Sequence, residues 1–226
     1  MKKRTLDIDG RRCVVYGSTG PVIYWGAGEN EAGDATVNHL ARLAEGLPWR
    51  LAAYEVRDWN ADFSPWPAPA VFGREDFAGR GLNTLEWLKE ACIPAVEEDQ
   101  PAVRGIAGYS LAGLFSLWAF YESGLFQGAA SCSGSLWYPG WTEYVQSREA
   151  PGLSCIYLSL GEKEEKTRNR AMACVGDRTR WMHQHLAQDK GVRCQELQWH
   201  PGGHFSEPDV RLAKGMAWLI RTLQSG

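Results

Sequence analysis

The sequence contains no apolar run approaching the roughly 20 residues that a membrane-spanning helix needs. Its basic start, Met1-Lys2-Lys3-Arg4, is not followed by the apolar stretch of a secretion signal. The expectation is a cytoplasmic protein without a membrane partner. It also lacks any Cys-x-x-Cys pair. The six cysteines, at 13, 92, 132, 155, 174 and 194, are scattered and mostly lie inside apolar runs, as buried reduced thiols do, which speaks against disulfides and a zinc ribbon. Neither a basic block nor an acidic tail occurs: 24 Lys and Arg face 27 Asp and Glu, a formal charge of −3. That balance excludes a nucleic-acid or membrane-surface reading and leaves a small molecule as the expected partner. There is no internal repeat or low-complexity tract, and no long insertion to form a separate lid. A bulky lipid is therefore a less suitable substrate than a water-soluble one.

What is present is an ordinary globular composition, 44% apolar and 23% charged over 226 residues, sufficient for one domain spanning 1–226 with a sizeable core. Strand-like and helix-like apolar periods alternate along nearly the whole chain, which predicts an α/β layer structure with a mostly parallel central sheet and helices on both faces. Residues 5–8 and 11–16 flank Asp9-Gly10 and read as an N-terminal antiparallel hairpin. Further strands are expected at 21–25, 49–56, 103–108, 128–133, 153–160 and 192–199. Helices are expected from Asp34 to about Glu45, at 79–98 with a kink or restart at Pro94, and at 111–123, 168–189 and 207–224. Gly26-Ala27-Gly28 reads as a glycine-rich loop, and 58–76 as an aromatic, proline-rich loop.

The most informative segment is Val103-Arg104-Gly105-Ile106-Ala107-Gly108-Tyr109-Ser110-Leu111-Ala112-Gly113-Leu114. An apolar strand stops at a serine held between small residues, and an apolar helix begins at once. That is the pattern of a nucleophile elbow, in which a strained turn exposes the serine and small neighbours let strand and helix approach each other. Ser110 is the candidate nucleophile.

A serine hydroxyl needs a base to take its proton, most often a histidine oriented by a carboxylate. His204, in Gly202-Gly203-His204 between the last strand and the last helix, stands where this architecture supplies its histidine. His39, His183, His185 and His200 receive no chemistry. His183 and His185, two apart on a helix, do not share a face and so are not a metal pair. The acid is expected after strand 153–160, where Gly161-Glu162-Lys163-Glu164-Glu165-Lys166 offers Glu162, Glu164 and Glu165. Two backbone donors are needed for a tetrahedral oxyanion. The amide of Leu111, directly after the serine, is one, and Gly26 or Ala27, at the end of the buried strand Val22-Ile23-Tyr24-Trp25, is the candidate for the other.

Eleven tryptophans are many for this length, and several fall in loops at expected strand ends. Trp25, Trp59, Trp66 and Trp137 are the candidate substrate-binding residues, with Trp141 nearby, and they suit a flat aromatic or sugar-like group. Asp58 and Asp62 are available to a polar substrate.

With these positions in place the chain resembles the α/β-hydrolase superfamily, and within it the esterase group that includes esterase D, feruloyl esterases and enterochelin-type siderophore esterases. The resemblance covers almost the whole chain and rests on Gly108-Tyr109-Ser110-Leu111-Ala112-Gly113-Leu114, Gly161-Glu162-Lys163-Glu164 and Gly202-Gly203-His204. Ala112 departs from it, because the family's elbow often has glycine there. The acid of that group commonly lies three residues after the glycine ending its strand, so the resemblance implies Glu164. It implies a single-domain α/β-hydrolase fold and hydrolysis of a small carboxylic ester through an acyl-enzyme, with no metal and no cofactor. Two other readings use the same fold: an acyltransferase, and a non-catalytic protein holding a ligand in the tryptophan-rich cleft.

Overall fold

The first chain reversal shows how local chemistry sets the architecture. In the computed structural model, which describes residues 1–28, 34–98 and 101–225, strands β1 (Lys3–Ile8) and β2 (Arg11–Gly17) pair antiparallel across Asp9 and Gly10. Both turn residues have positive φ, 53° and 70°, as the tight hairpin turn that follows strand twist requires.

Strand β3 (Val22–Gly28) runs three residues beyond the expected 21–25, so Gly26-Ala27-Gly28 is strand rather than loop. The extension has a reason in the neighbours: β4 (Arg50–Val56) pairs with β3 through Gly28, whereas the strand on the other side leaves it after Trp25. Between β3 and β4 lies α1 (Asp34–Leu43). The segment 58–76 is not wholly loop. It opens with α2 (Trp59–Asp62), capped by the Asp58 carboxylate on the Ala61 N–H at 3.0 Å, and contributes β5 (Pro67–Ala68), which pairs with β6 (Phe77–Ala78). The helix expected at 79–98 is broken, as Pro94 predicts. α3 (Gly81–Trp87) passes through a π-helical turn at Leu88–Cys92 into α4 (Ile93–Glu97), because proline offers no N–H to the carbonyl four residues back and its ring displaces that carbonyl.

The second half follows the expected order: β7 (Arg104–Tyr109), α5 (Leu111–Ser123), β8 (Gly128–Cys132), α6 (Trp141–Gln146) and β9 (Ser154–Gly161). The predicted helix 168–189 is divided at Cys174 into α7 (Arg170–Ala173) and α8 (Val175–Gln188). β10 (Val192–His200) and α9 (Pro208–Gln224) close the fold.

The main sheet has the order β1-β2-β4-β3-β7-β8-β9-β10, antiparallel at the β1–β2 and β2–β4 interfaces and parallel from β4 onwards. Its two faces are built by the two-residue strand period. Tyr24, Ala52, Tyr54, Ile106, Ala129 and Ile156 point to one side and meet α5 and α8. Ile23, Leu51, Ala53, Ala107, Ala130 and Tyr157 point to the other and meet α1 and α9. Each fully buried large side chain contributes about 1.5–3 kcal/mol. α5 is buried almost all round, hence its mostly apolar sequence, whereas α9 keeps a polar face. Connections leave β3 and β7 in opposite directions across the sheet, so a crevice opens at the C-terminal ends of that central pair. No helix among the described residues is long and apolar enough to cross a membrane. All six cysteines are free thiols.

Candidate active site

Ser110 sits directly after β7 with φ 59° and ψ −124°, a left-handed conformation that costs a non-glycine residue on the order of 1–3 kcal/mol. The turn is held from several sides: the Ser110 N–H donates to the Cys132 carbonyl at 3.1 Å, and the Ser110 carbonyl accepts from Gly113, Leu114 and Ser135 at 3.0, 3.2 and 3.0 Å. Gly108 is obligatory. A Cβ there would lie 2.2 Å from the Ala112 carbonyl oxygen, so strand and helix approach each other only because β7 carries no side chain at this point. The tight approach runs from Gly108 to the backbone of 112, which is why alanine is accepted at 112 itself.

His204, in the turn between β10 and α9, brings Nε2 to 3.0 Å from Ser110 Oγ, and its Nδ1 lies 2.7 Å from Glu164 Oε2. The three glutamates after β9 are separated by a short 3-10 turn over Glu164–Lys166. Glu164 turns inward and is buried. Glu165 turns the other way and pairs with Arg180 at 2.8 Å, while Glu162 is exposed. Glu164 Oε1 accepts from the Ser133 hydroxyl at 2.7 Å, the Gly161 N–H at 2.8 Å and Arg211 Nη1 at 3.1 Å. Burial is the strongest single influence on this carboxyl and pushes its pKa up, but the hydrogen bonds from His204, Ser133 and Gly161 together outweigh it. The net displacement is below the ordinary carboxylate range, so the group stays ionised at neutral pH.

Sequence reasoning missed Arg211. Its guanidinium is 2% exposed in the first turns of α9 and reaches four groups from four parts of the chain. Besides Glu164 it donates to the Pro201 carbonyl at 2.8 Å, Ser133 Oγ at 3.3 Å and the Tyr109 hydroxyl at 3.4 Å. Tyr109 in turn donates to the His204 carbonyl at 2.5 Å. Tyr109 before Ser110, the Glu164 loop and the His204 loop are thus joined through one side chain. The available signal was an arginine within the buried stripe of an amphipathic helix, where an unpaired charge is not tolerated.

The strand end expected to furnish an oxyanion donor lies on the crevice. Gly26 and Ala27 follow the last β3–β7 pair, Trp25 with Ala107, and remain paired to β4. Gly26 is also required by packing, since a Cβ there would stand 2.3 Å from the Phe63 ring. Leu111 is the first residue of α5, whose opening N–H groups have no intrahelical acceptor.

The tryptophans divide. Trp137 lines a cavity beside His204. Trp59 is 39% exposed and stands edge-on to Phe63 at 4.9 Å, next to Gly26. Trp25 and Trp66 have partners within the fold. Trp25 is 8% exposed and belongs to the core cluster on the α1–α9 face, because the strand period puts it on the same side as Ile23. Trp66 donates Nε1 to the Pro139 carbonyl at 2.9 Å and packs against Tyr138 and Tyr144, pinning two loops together. Trp141, 1% exposed, is core as well. Asp58 is occupied by its cap and by Arg80 at 2.9 Å, and Asp62 accepts the Asp58 N–H at 3.2 Å.

His200, at the end of β10, is buried, and its pKa is lowered to about 4 by that burial first and by Lys214 and Arg211 second. The folded protein therefore keeps it neutral while an unfolded chain takes up a proton below about pH 6.5. Stability is expected to fall as pH drops from about 6.5 to about 4, by up to about 3 kcal/mol from this residue. Urea midpoints measured across that range should show the slope in the parent and a flatter one in His200→Gln.

No protein-family model matches the chain. Over 155 residues it is 32% identical to the Bacillus subtilis (strain 168) protein YbbA, itself uncharacterized; the match takes in 65% of this chain and 62% of that relative. Solved structures resemble it over nearly its full length. An IroE-like serine hydrolase from Shewanella oneidensis superposes with a TM-score of 0.82 at 16% identity, covering 97% of this chain and 80% of the other. The siderophore hydrolase EstA from Aspergillus nidulans gives 0.74 at 16% identity over 97% and 93%, and an S-formylglutathione hydrolase from Agrobacterium tumefaciens 0.63 at 11% identity over 98% and 94%. The sheet order, the strand-turn-helix at Ser110 and these superpositions show that the chain has the α/β-hydrolase fold.

Proposed function

We propose that the protein is a serine hydrolase of small, water-soluble carboxylic esters. The single observation that carries this reading is the unbroken relay from Ser110 Oγ through both His204 nitrogens to Glu164, at 3.0 and 2.7 Å. The similarity of its fold to a serine hydrolase, a siderophore hydrolase and an S-formylglutathione hydrolase supports it. In this reading His204 Nε2 takes the Ser110 proton as Oγ attacks the ester carbonyl. The developing oxyanion meets the N–H of Leu111 and that of Gly26 or Ala27, donors worth about 10²–10³ in rate each. His204 then gives the proton to the departing alcohol, and water repeats the sequence on the acyl-enzyme. Glu164 holds the Nδ1–H tautomer and stabilises the imidazolium. Six free thiols accord with a cytoplasmic setting for this chemistry.

The test is intact mass after fluorophosphonate treatment, together with turnover of short p-nitrophenyl esters. One adduct that Ser110→Ala abolishes, accompanied by turnover, is the expected result; a folded parent that neither labels nor turns over would leave a ligand-holding protein. The acid is assigned by three parallel substitutions. Glu164→Gln is expected to lower kcat about 10²–10⁴-fold, while Glu162→Gln and Glu165→Gln stay within about threefold of the parent. Equal losses in all three would remove Glu164 from the relay.

A further inference from the structure

A cavity of about 210 Å³ opens beside His204. Its walls include His204, Trp137, Met172, Val175 and Phe205, and Lys163 is its one basic side chain besides the histidine. Neither Ser110 nor the oxyanion strand lines it. In the proposed hydrolase mechanism the departing alcohol lies against His204, which hands it a proton. On that mechanism rests the assignment of this cavity to the alcohol portion of the ester rather than the acyl portion. Trp137 and Phe205, the latter 90% exposed, offer flat apolar faces to such a group.

The segment that supplies Lys163 to the cavity is basic on balance. Between 162 and 170 the chain carries Glu162, Lys163, Glu164, Glu165, Lys166, Arg168 and Arg170. Two of the acids are consumed within the protein, Glu164 by His204 and Arg211 and Glu165 by Arg180. Lys163, Lys166, Arg168 and Arg170 are exposed, and none has an ion-pair partner among the described residues. Within this segment only Glu162 is left to oppose them, and Glu207, two residues beyond Phe205, is the exposed acid of the neighbouring turn, in a protein whose overall charge is −3. Glu164 does not turn an anion away, because both of its oxygens are covered by donors. We propose that the leaving alcohol of the substrate bears an anionic group, a carboxylate on an aromatic or short aliphatic body, and that the Lys163 ammonium recognises it.

The experiment compares two acetate esters that differ only at the far end of the alcohol, 4-acetoxybenzoate and its neutral methyl ester, in the parent and in Lys163→Ala, Lys163→Glu and Lys163→Arg. Taking the anionic-to-neutral ratio of kcat/KM within each protein cancels the difference in leaving-group chemistry. The ratio should fall about fivefold in Lys163→Ala, further in Lys163→Glu, and be retained in Lys163→Arg. It should also fall in the parent at about 1 M salt, where charges are screened within about 3 Å. A ratio unchanged in Lys163→Glu, with both esters turned over, overturns the proposal and leaves the hydrolase reading intact. If neither ester is hydrolysed, calorimetric binding of 4-hydroxybenzoate to Ser110→Ala decides the site alone. Binding weakened by adding Lys163→Glu upholds the anion site without hydrolysis, and equal binding rejects it.

Discussion

Ser110→Ala is expected to lose on the order of 10⁵–10⁶ in kcat toward any ester the parent hydrolyses, leaving the modest residue of rate that backbone donors and binding supply without a nucleophile. Ser110→Gly should be equally inactive and yet more stable than Ser110→Ala. The reason is the φ of 59° at this position. Alanine keeps the Cβ and with it the strain, whereas glycine reaches this conformation at no steric cost. About 1 kcal/mol or more of relief corresponds to about 2–4 °C in Tm for a chain of this size. Calorimetric melting of the two variants side by side reads the difference directly. Equal melting temperatures would mean that the elbow stores no strain at Ser110, and a fluorophosphonate adduct surviving in Ser110→Ala would place the nucleophile elsewhere.

The second large effect concerns a residue outside the relay. Arg211→Met is expected to cost about 3–5 kcal/mol of stability, because it leaves the 5%-exposed side chain of Glu164 without its cationic partner and the Pro201 carbonyl without a donor. Activity should fall as well, through kcat rather than KM, since Arg211 positions Glu164 and the His204 loop from behind and does not line the cavity beside His204. Arg211→Lys keeps the charge but not the planar fork, and a single ammonium does not span four acceptors. It should recover more stability than activity. The kcat of the folded fraction separates positioning from mere support. A purely structural role would lower the amount of folded enzyme and leave that kcat in place, whereas lost positioning lowers it. Urea unfolding and kcat normalised to fluorophosphonate-titrated sites together decide the matter. A variant as stable and active as the parent would show that Ser133, Gly161 and His204 suffice to hold the acid.

The parts of the site that are legible in the chain are those governed by neighbours in sequence. Gly108, Ser110 and the small residues around them announce a strand-turn-helix because the steric demand runs between positions four apart. The turn at Asp9-Gly10 and the break at Pro94 are legible for the same reason: backbone conformations forced by one or two residue types. The choice among Glu162, Glu164 and Glu165 is different, since all three satisfy the local pattern and only the 3-10 turn after β9 aims one of them at His204. Trp25 is instructive in another way. The strand period already aligned it with Ile23, toward the α1–α9 side, but its place at a strand end suggested a pocket wall.

Periodicity and turn chemistry act over a few residues, and they suffice to place the alternating strands and helices, the strained serine and the histidine after the last strand. Long-range packing alone chooses which carboxylate meets His204, joins Arg211 to Tyr109, Ser133, Glu164 and Pro201, and selects the tryptophan that faces the cavity. Those contacts join residues as far as 102 positions apart. They exist only once the parallel sheet has brought the C-terminal ends of β7, β8, β9 and β10 to one edge, where the burial of Glu164 and Arg211 makes the geometry of their partners count.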